Sequence, residues 1–300
     1  MDFTNRTAIV TGAGGGLGRE YALALGKRGV KVCVNDLGGA RDGSGGSASA
    51  AQKVVEEIEA AGGTAMANAA SVTDRDAVEA MVAEVMETWG RIDILINNAG
   101  VLRDKSFAKM TLDDFEFVLD VHLMGSVNCS KAVWQHMRDA NYGRIVMTGS
   151  STGCYGNFGQ TNYGAAKLGL VGFMKSLAQE GAKNNIHVNS IIPVAGTRMT
   201  EDLMPEEMLA MYSPDKVAPA VVFLASDEAP TNTILGAGAG GYHAVNVTLT
   251  KGIMLGKDER TAETIAARMD DITDRTGETV PQSGAEQGQL VMSRQGEIAD

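Results

Sequence analysis

The stretch Tyr163-Gly-Ala-Ala-Lys167 is where residue types and spacing point most directly to chemistry. A tyrosine and a lysine four residues apart project from the same face of a helix. A free phenol has a pKa of about 10, and a nearby ammonium group stabilises the phenolate and lowers that pKa. Such a pair can take the proton from an alcohol as its hydride leaves, or return it to a carbonyl. Because this spacing also occurs on plain helix surfaces, the interpretation requires a hydride carrier and a pocket from other stretches.

The beginning of the chain predicts a site for that hydride carrier. A short β-branched run, Thr7–Thr11, leads into Gly12-Ala-Gly-Gly-Gly-Leu-Gly18 and then into a helical pattern. Glycines let the backbone approach a pyrophosphate, and the helix N-terminus offers unpaired N–H groups. The general dinucleotide fingerprint fails because position 17 is leucine, so the spacing that fits is Gly12, Gly16 and Gly18. A purely structural glycine turn is the alternative.

Asp36 indicates which dinucleotide the site would bind. It ends the second predicted strand, about 20 residues beyond the glycines, where a carboxylate accepts hydrogen bonds from ribose hydroxyls and repels a 2′-phosphate. Gly15 stands inside the turn where a basic residue would suit that phosphate. The sequence therefore favours NAD over NADP. Asp36 could also cap the following turn, a role that does not exclude the first.

Strand and helix patterns alternate along the chain, with strands expected at 7–11, 30–35, 64–69, 92–96, 144–148 and 186–192. This alternation predicts an α/β fold, a doubly wound Rossmann-type parallel sheet with helices on both faces, in a single domain. One long helix is expected from 111 to about 137. Small and polar residues follow three strands, at Asn97–Gly100, Ser150 and Pro193–Thr200. Because the carboxyl ends of parallel strands meet at one edge, these residues should converge on one site.

Composition excludes several function classes. The 300 residues, 44% of them hydrophobic, suit one large α/β domain, and the net charge of -11 argues against a nucleic-acid partner. Cys33, Cys129 and Cys154 form no CxxC and no cluster with the four histidines, so neither a disulfide framework nor a metal site is expected. The chain shows no signal region and no apolar run of about 18 residues. We therefore expect a cytoplasmic protein without membrane association.

Four separated motifs together resemble the short-chain dehydrogenase/reductase family over about residues 1–255: Thr11–Gly18, Asn97–Gly100, Ser150 and Tyr163–Lys167. Within that family, further stretches such as Tyr155–Gln160 are similar to the dehydrogenase part of type 2 multifunctional enzymes of peroxisomes. That resemblance implies NAD-dependent oxidation of a (3R)-hydroxyacyl-CoA to the 3-oxoacyl-CoA. A 17β-hydroxysteroid dehydrogenase is one alternative. A dinucleotide-binding interaction protein without turnover is another, although intact Ser150, Tyr163 and Lys167 argue against it.

The resemblance assigns roles to matching residues. Tyr163 would be the general acid/base, Lys167 would lower its pKa and hold the nicotinamide ribose, and Ser150 would polarise the substrate oxygen. His122 stands where most members have an asparagine that helps to hold a relay water. The implied cofactor contacts include Tyr163 and Lys167 themselves. The others are Gly12, Gly16, Leu17 and Gly18 at the pyrophosphate, Asp36 at the adenosine ribose, Ser71 and Val72 at the adenine, Asn98, Ala99 and Gly100 beneath the cofactor, and Val194 and Thr197 near the nicotinamide amide.

Two of these assignments rest on departures from the family pattern. Ser71 replaces the usual aspartate beside the adenine, which leaves Val72 as the firmer contact. Val194 replaces a glycine after Pro193, so either Thr197 or Thr200 could meet the amide, and Thr197 is chosen.

The predicted domain organisation is a dehydrogenase domain at 1–257 and a charged extension at 258–300. A substrate lid is expected around 199–215, because its methionines and leucines could adapt to an acyl chain, although plain core packing is equally compatible. In the extension, a surface helix is expected at 259–270 and disorder beyond it. The resemblance also implies a small-molecule substrate and a homodimer or homotetramer.

Overall fold

The computed structural model describes residues 1–40, 42–45, 49–196 and 205–298. By its internal contacts the chain divides into two units, Met1–Ala244 and Val245–Asp300. The predicted contact Thr197 and the part of the predicted lid at 199–204 lie outside the described residues. The rest of the lid segment contains a short helix, which is given with the other helices below.

An eight-stranded sheet forms the centre of the α/β domain among the described residues, in the order β3-β2-β1-β4-β5-β6-β7-β8. The pairings β1 with β2 and β4, β2 with β3, β4 with β5, β5 with β6, and β6 with β7 are all parallel. Because the strand order reverses between β1 and β4, a crevice opens at the carboxyl ends of those strands. The strands are β1 (Thr7–Thr11), β2 (Lys31–Asn35), β3 (Thr64–Asn68), β4 (Ile94–Asn97), β5 (Gly143–Thr148), β6 (Ile186–Pro193), β7 (Ile234–Gly238) and β8 (Gly241–Val245).

Helices cover both faces of this sheet. In one group α1 packs against α2 and α9, and in the other α3 packs against α5 and α4 against α7. The predicted fold class, a doubly wound parallel α/β sheet, is therefore confirmed. The helices are α1 (Gly16–Gly26), α2 (Ser49–Ala60), α3 (Arg75–Trp89), α4 (Leu112–Leu119), α5 (Gly125–Asp139), α6 (Ser151–Tyr155), α7 (Thr161–Gly181), α8 (Glu206–Met211) and α9 (Ala218–Leu224).

The central strands are buried on both sides, which explains why they read as nearly continuous apolar runs. Every residue of β1, β4 and β5 is buried. Val10, Val34, Ile96 and Val146 belong to one apolar cluster with residues of α1, α2 and α9. Full burial of such a side chain contributes roughly 1.5–3 kcal/mol. The strands that present the candidate chemical residues are thus the most deeply fixed part of the fold.

The segment predicted as one helix from 111 to about 137 is interrupted. One π-helical turn, Asp120–Met124, separates α4 from α5. π-turns are rare and often accompany functional sites. At the start of α5, a Cβ on Gly125 would lie 2.6 Å from the Val72 side chain, so the glycine permits this helix to approach Val72 closely. The interruption places His122 on the turn.

The second unit has little buried surface of its own. Of its described residues only Val245 is buried. The predicted surface helix at 259–270 is present as two helices, α10 (Ala262–Ala267) and α11 (Met269–Thr273). The expectation of disorder beyond them is wrong at α12 (Gly284–Ser293). Among the described residues, no helix is long and apolar enough to cross a membrane.

Candidate active site

A groove of about 550 Å³ lies at the carboxyl edge of the sheet where the strand order reverses. Its size is in the range of small-molecule and cofactor sites. The structure thus brings together residues that the sequence separates by up to 181 positions, from Gly12 to Pro193. The predicted site residues that line it are Gly12, Gly16, Leu17, Asp36, Ser71, Val72, Asn98, Ala99, Gly100, His122, Ser150, Tyr163 and Lys167.

The glycine turn forms one end of the groove. Gly12 adopts a φ of +62°, and a Cβ on Gly18 would lie only 2.2 Å from the carbonyl oxygen of Gly12. Gly18 therefore lets α1 pack directly against the turn, and it lies behind the groove lining. Gly15, at the N-cap of α1, provides no side-chain cap, so N–H groups of the first turn remain available to an anion.

The carboxylate of Asp36 is held by two backbone amides. The N–H of Gly14 donates to Oδ2 at 2.7 Å, and the N–H of Gly38 donates to Oδ1 at 2.6 Å. The second bond is the turn-capping role that the sequence left open. Since each carboxylate oxygen has a further lone pair, the side chain can still accept hydrogen bonds from hydroxyls in the groove.

The floor of the groove is tied between β1 and β4. The Asn98 side chain donates to the carbonyl oxygens of Thr11 and Gly12, both at 3.0 Å. In return, the Thr11 hydroxyl oxygen accepts the backbone N–H groups of Asn98 and Ala99 at 3.0 and 3.1 Å. Asn98 therefore holds the start of the glycine turn in place through two hydrogen bonds, and it also lines the groove.

Ser150 and Tyr163 come together on the opposite side of the groove. Ser150 follows β5 and is the N-cap of α6, where its hydroxyl oxygen accepts the N–H of Thr152 at 3.1 Å. Tyr163 lies in the first turn of α7, and its phenol lies near the Ser150 side chain. Two hydroxyl groups of the kind that can hold a substrate oxygen therefore line the same groove.

Lys167 lies one helical turn after Tyr163, and its side chain is 4% exposed. Its ammonium group donates to the carbonyl oxygen of Thr148 at 2.6 Å and lies 5.5 Å from the centre of the Tyr163 ring. The predicted common face is thus present, but the direct partner of the ammonium group is a backbone carbonyl at the end of β5.

The expected lowering of the Tyr163 pKa is not found in this structure. Withdrawal of the phenol from water raises the pKa of Tyr163 to about 12, and the nearby Asp104 carboxylate adds to this, while the Ser150 hydrogen bond opposes it. Burial lowers the pKa of Lys167 to about 7. Burial disfavours the charged form of each group. The sequence shows that Tyr163 and Lys167 are neighbours, but it does not show how deeply the fold buries the phenol and the amine.

His122 projects from the π-turn against Tyr163. The two rings meet edge to face with centroids 5.1 Å apart. The His122 Nε2 atom lies 2.8 Å from the Val101 carbonyl oxygen, to which it can donate, and Nδ1 is buried without a hydrogen-bond partner among the described residues. Burial, followed by the charge of Lys167, holds the pKa of His122 well below its usual range. A neutral ring with one unpaired nitrogen is suited to holding a polar group beside the phenol.

Several lining residues were not predicted. Thr148 and Gly149 precede Ser150 at the end of β5, and Pro193 lines the groove where Val194 was predicted. Phe117 and Val121 also line it, from α4 and the π-turn. The position of Thr148 at the end of β5, two residues before Ser150, was a usable signal, because strand ends form this edge. Nothing in the local sequence indicates that Phe117 faces the groove. Among the described residues, no group of three or more His, Cys, Asp or Glu side chains could hold a metal ion.

The family model described as short chain dehydrogenase matches residues 6–208. The chain belongs to the short-chain dehydrogenase family. It is therefore an oxidoreductase that acts on a hydroxyl group, and the family resemblance read from the four motifs is confirmed. Family membership and oxidoreductase activity both agree with the lining of the groove, which combines hydroxyl-bearing side chains with a dinucleotide-type glycine turn.

Two relatives show different lengths. The chain is 50% identical over 256 residues to peroxisomal multifunctional enzyme A of Dictyostelium discoideum, covering 85% of this chain and 57% of that protein. It is 46% identical over 274 residues to a short-chain type dehydrogenase/reductase of Mycobacterium tuberculosis, covering 91% of this chain and 96% of that one. The chain thus spans little more than half of the multifunctional relative and nearly all of the mycobacterial one.

Two solved structures are similar to this fold. Full-length peroxisomal multifunctional enzyme type 2 from Drosophila melanogaster matches with a TM-score of 0.82 and 36% identity, over 99% of this chain and 50% of that one. A 7α-hydroxysteroid dehydrogenase complexed with NADH and 7-oxo glycochenodeoxycholic acid matches with a TM-score of 0.72 and 28% identity, over 80% and 95%. The predicted likeness to the dehydrogenase part of the type 2 multifunctional enzymes is therefore confirmed.

Proposed function

We propose that the chain oxidises (3R)-hydroxyacyl-CoA thioesters to 3-oxoacyl-CoA with NAD, in fatty-acyl or steroid side-chain oxidation. The observation that carries this proposal is the meeting of Ser150, Tyr163 and Lys167 on one wall of a groove whose far end holds the glycine turn and Asp36. One end provides groups that handle a proton. The other end suits a dinucleotide that accepts a hydride.

The residues present fit NAD. The Gly18 position, which a Cβ would fill, brings α1 against Gly12, and the uncapped N-terminus of α1 faces the same end of the groove. Asp36 lines the groove with a carboxylate fixed by the Gly14 and Gly38 amides. A fixed carboxylate suits ribose hydroxyls and repels a 2′-phosphate, which supports NAD over NADP. When bound, NAD⁺ supplies the hydride acceptor and a positive charge beside Tyr163.

The proposed reaction moves one hydride and one proton. The substrate hydroxyl would bind where the Ser150 hydroxyl and the Tyr163 phenol meet. Tyr163, as phenolate, would take the hydroxyl proton, and NAD⁺ held by the glycine turn and Asp36 would supply the acceptor for the hydride that leaves C3, so that the ketone remains. A hydrogen bond donated by the Ser150 hydroxyl would stabilise the negative charge that develops on the oxygen.

After that step, Lys167 and His122 would pass the proton from Tyr163 towards the solvent. The pKa of Lys167, lowered by burial to about 7, lets its amine gain or lose a proton near neutral pH. The Nδ1 atom of His122, which has no hydrogen-bond partner in the described part of the chain, is buried, and its ring packs against the phenol ring. We propose that these two side chains connect Tyr163 to the solvent proton pool.

The choice of substrate is supported by relatives rather than by pocket contacts. The Drosophila structure and the Dictyostelium relative are multifunctional enzymes of peroxisomes by name. The second candidate, a hydroxysteroid dehydrogenase, is favoured by the likeness to a solved 7α-hydroxysteroid dehydrogenase. A dinucleotide-binding interaction protein without turnover is disfavoured because Ser150, Tyr163 and Lys167 are all present and close together.

The test is NADH formation, followed by absorbance, over a panel of (3R)- and (3S)-hydroxyacyl-CoAs and hydroxysteroids, each with NAD and with NADP. We expect turnover with the (3R)-thioesters and NAD. Turnover confined to steroids would establish the second candidate. NADH binding without turnover on any member of the panel would support the interaction protein, and a preference for NADP would contradict the role given to Asp36.

Three further assignments remain proposals. We propose residues 1–257 as the dehydrogenase domain with a lid around 199–215, and 258–300 as an extension, although contacts place the division earlier, after Ala244. We propose a homodimer or homotetramer, to be tested by light scattering. The cytoplasmic location stays a prediction, and the name of the Dictyostelium relative points instead to a peroxisome.

A further inference from the structure

Gln160, the residue before α7, connects three separate segments through its side-chain amide. The carboxamide oxygen accepts the Thr152 hydroxyl and the Asn157 amide, both at 3.0 Å. The carboxamide nitrogen donates to Oδ2 of Asp104 at 2.7 Å. An amide side chain offers four hydrogen-bonding positions, so three of the four are used by other side chains. This arrangement fixes the orientation of the amide, because a flip would place its oxygen against the Asp104 carboxylate and its nitrogen against the Asn157 amide nitrogen.

These contacts lead directly to both hydroxyl groups of the site. Thr152 donates its backbone N–H to the Ser150 hydroxyl oxygen at 3.1 Å. Gln160 precedes Tyr163 by three residues, about one helical turn, and its carbonyl accepts the N–H of Gly164 at 2.7 Å. A movement of the Gln160 side chain would therefore change the position of Ser150 relative to Tyr163.

Backbone contacts on either side join the same segments. The N–H of Lys105 donates to the carbonyl oxygen of Gly159 at 2.9 Å. The buried Asn162 side chain donates to the Arg103 carbonyl at 3.1 Å and accepts the Tyr163 N–H at 2.8 Å. Gln160 and Asp104 thus form the central, side-chain part of a connection between the 103–105 segment and the start of α7.

We infer that Gln160 is a positioning residue, which together with Asp104 fixes the distance between the Ser150 hydroxyl and the Tyr163 phenol. This inference rests on the proposed function, because it concerns proton transfer at Tyr163. Small displacements of reacting groups are expensive: a misplacement of about 1 Å can reduce the rate by 10²-fold. The role is therefore seen in kcat more than in substrate binding.

Asp104 also acts through its charge. Four elements present polar or ionisable groups to Tyr163: Lys167 on its own helix, His122 on the π-turn, Ser150 before α6, and Asp104 on the 103–105 segment. The Asp104 carboxylate contributes to the raised pKa of the phenol, after burial. Replacement of Asp104 by Asn removes that charge, so the pKa that limits alcohol oxidation should shift to lower pH.

The test exchanges donor and acceptor between the two residues. Gln160→Glu places a carboxylate against Asp104, so we expect kcat to fall roughly 10- to 100-fold with KM changed less than about threefold. Asp104→Asn alone keeps an acceptor oxygen for Gln160 and should mainly shift the pH profile. The double variant Asp104→Asn/Gln160→Glu restores one donor, one acceptor and the original net charge, so it should recover most of kcat.

Gln135→Glu provides the matched control. Gln135 donates to Asp139 at 2.6 Å on the surface of α5, the same chemical pair away from the groove. We expect its kcat to equal that of the wild type. Circular dichroism and melting temperature would establish that each variant folds. If Gln160→Glu is not recovered folded, Thr152→Val carries the test, since it removes one bond to Gln160 and should lower kcat several-fold.

Two outcomes would overturn the inference: unchanged kcat in folded Gln160→Glu or Thr152→Val, or a double variant no better than Gln160→Glu. Either result requires an active wild type. If the wild-type chain forms no NADH with any substrate of the panel, the proposed function itself fails, and the two failures are therefore distinguishable.

Discussion

The two ends of the groove are lined by different kinds of chemical group. The end proposed for the cofactor uses mainly backbone: the glycine turn and the uncapped first turn of α1, with one carboxylate held by the amides of Gly14 and Gly38. The end proposed for catalysis uses side chains from separate elements, among them Ser150, His122 and Tyr163. A backbone site is specified within one short stretch, whereas a side-chain site depends on how distant elements pack. The following changes test that division, from the largest expected effect to the smallest.

Removal of the Tyr163 hydroxyl should damage only the catalytic end. We expect Tyr163→Phe to lower kcat by about 10²–10⁴-fold, the usual contribution of a positioned acid/base group, with NADH affinity unchanged. Stopped-flow turnover and NADH fluorescence titration would measure the two quantities. Tyr155→Phe is the control, because Tyr155 is exposed on α6. Full turnover in Tyr163→Phe would remove Tyr163 from the chemistry.

A methyl group at Gly18 should damage the cofactor end. The new Cβ would lie 2.2 Å from the Gly12 carbonyl oxygen, so α1 must move away from the turn. We expect Gly18→Ala to lose at least tenfold in NADH affinity and about 1–3 kcal/mol in unfolding free energy. Gly172→Ala in α7, where the Cβ meets no atom within 4 Å, should keep both. Wild-type NADH affinity in Gly18→Ala would contradict the packing role.

Neutralisation of Asp36 should change which dinucleotide is preferred. Asp36→Asn removes the charge that repels a 2′-phosphate and places an amide donor against the N–H of Gly14 or Gly38. We expect NAD affinity to fall roughly tenfold, about 1.4 kcal/mol, and discrimination against NADP to shrink. Calorimetric titration with both dinucleotides measures this. Asp76→Asn, exposed in α3, is the control, and an unchanged preference in Asp36→Asn would place the selectivity elsewhere.

The smallest effect concerns the pH dependence of stability. In the folded chain the pKa of Lys167 is lowered to about 7, below its ordinary value of 10.5, so between these values the unfolded state binds more protons. Stability therefore rises with pH over this window. We expect a rise of a few degrees in melting temperature from pH 7 to 9.5, which Lys167→Met should reduce. Exposed Lys131→Met should retain the full rise, and the same rise in Lys167→Met would contradict the assignment.

The sequence predicted the backbone end of the groove well. The alternation of strands and helices, the glycine turn and the Asp36 position all follow from local patterns, and each falls where strand ends meet. The candidate residues Ser150, Tyr163 and Lys167 were also predicted, because their spacing is a motif, and the structure brings them to the same groove. Gly18 was found as a residue but with a different role, since its packing against Gly12 is a contact across the turn.

What the sequence did not show depends on burial and long-range contact. The raised pKa of Tyr163 follows from how much water the fold excludes, not from the neighbour at position 167. The connection from Asp104 through Gln160 to Thr152 joins residues up to 56 positions apart. The π-turn that presents His122 replaces one turn of what reads as a continuous helix. None of these has a local sequence signal.

That π-turn has a consequence for how His122 is held against Tyr163. A π-turn closes its hydrogen bond one residue later than an α-turn, so it holds one additional residue. Loss of a single residue from Asp120–Met124 would let a regular α-helix run through this point, so that α4 and α5 keep their faces but the wide turn that presents His122 is lost. The imidazole would then no longer be held at its present position against the phenol. The alignment of His122 with Tyr163 is thus encoded in the number of residues in the turn as much as in the identity of the histidine.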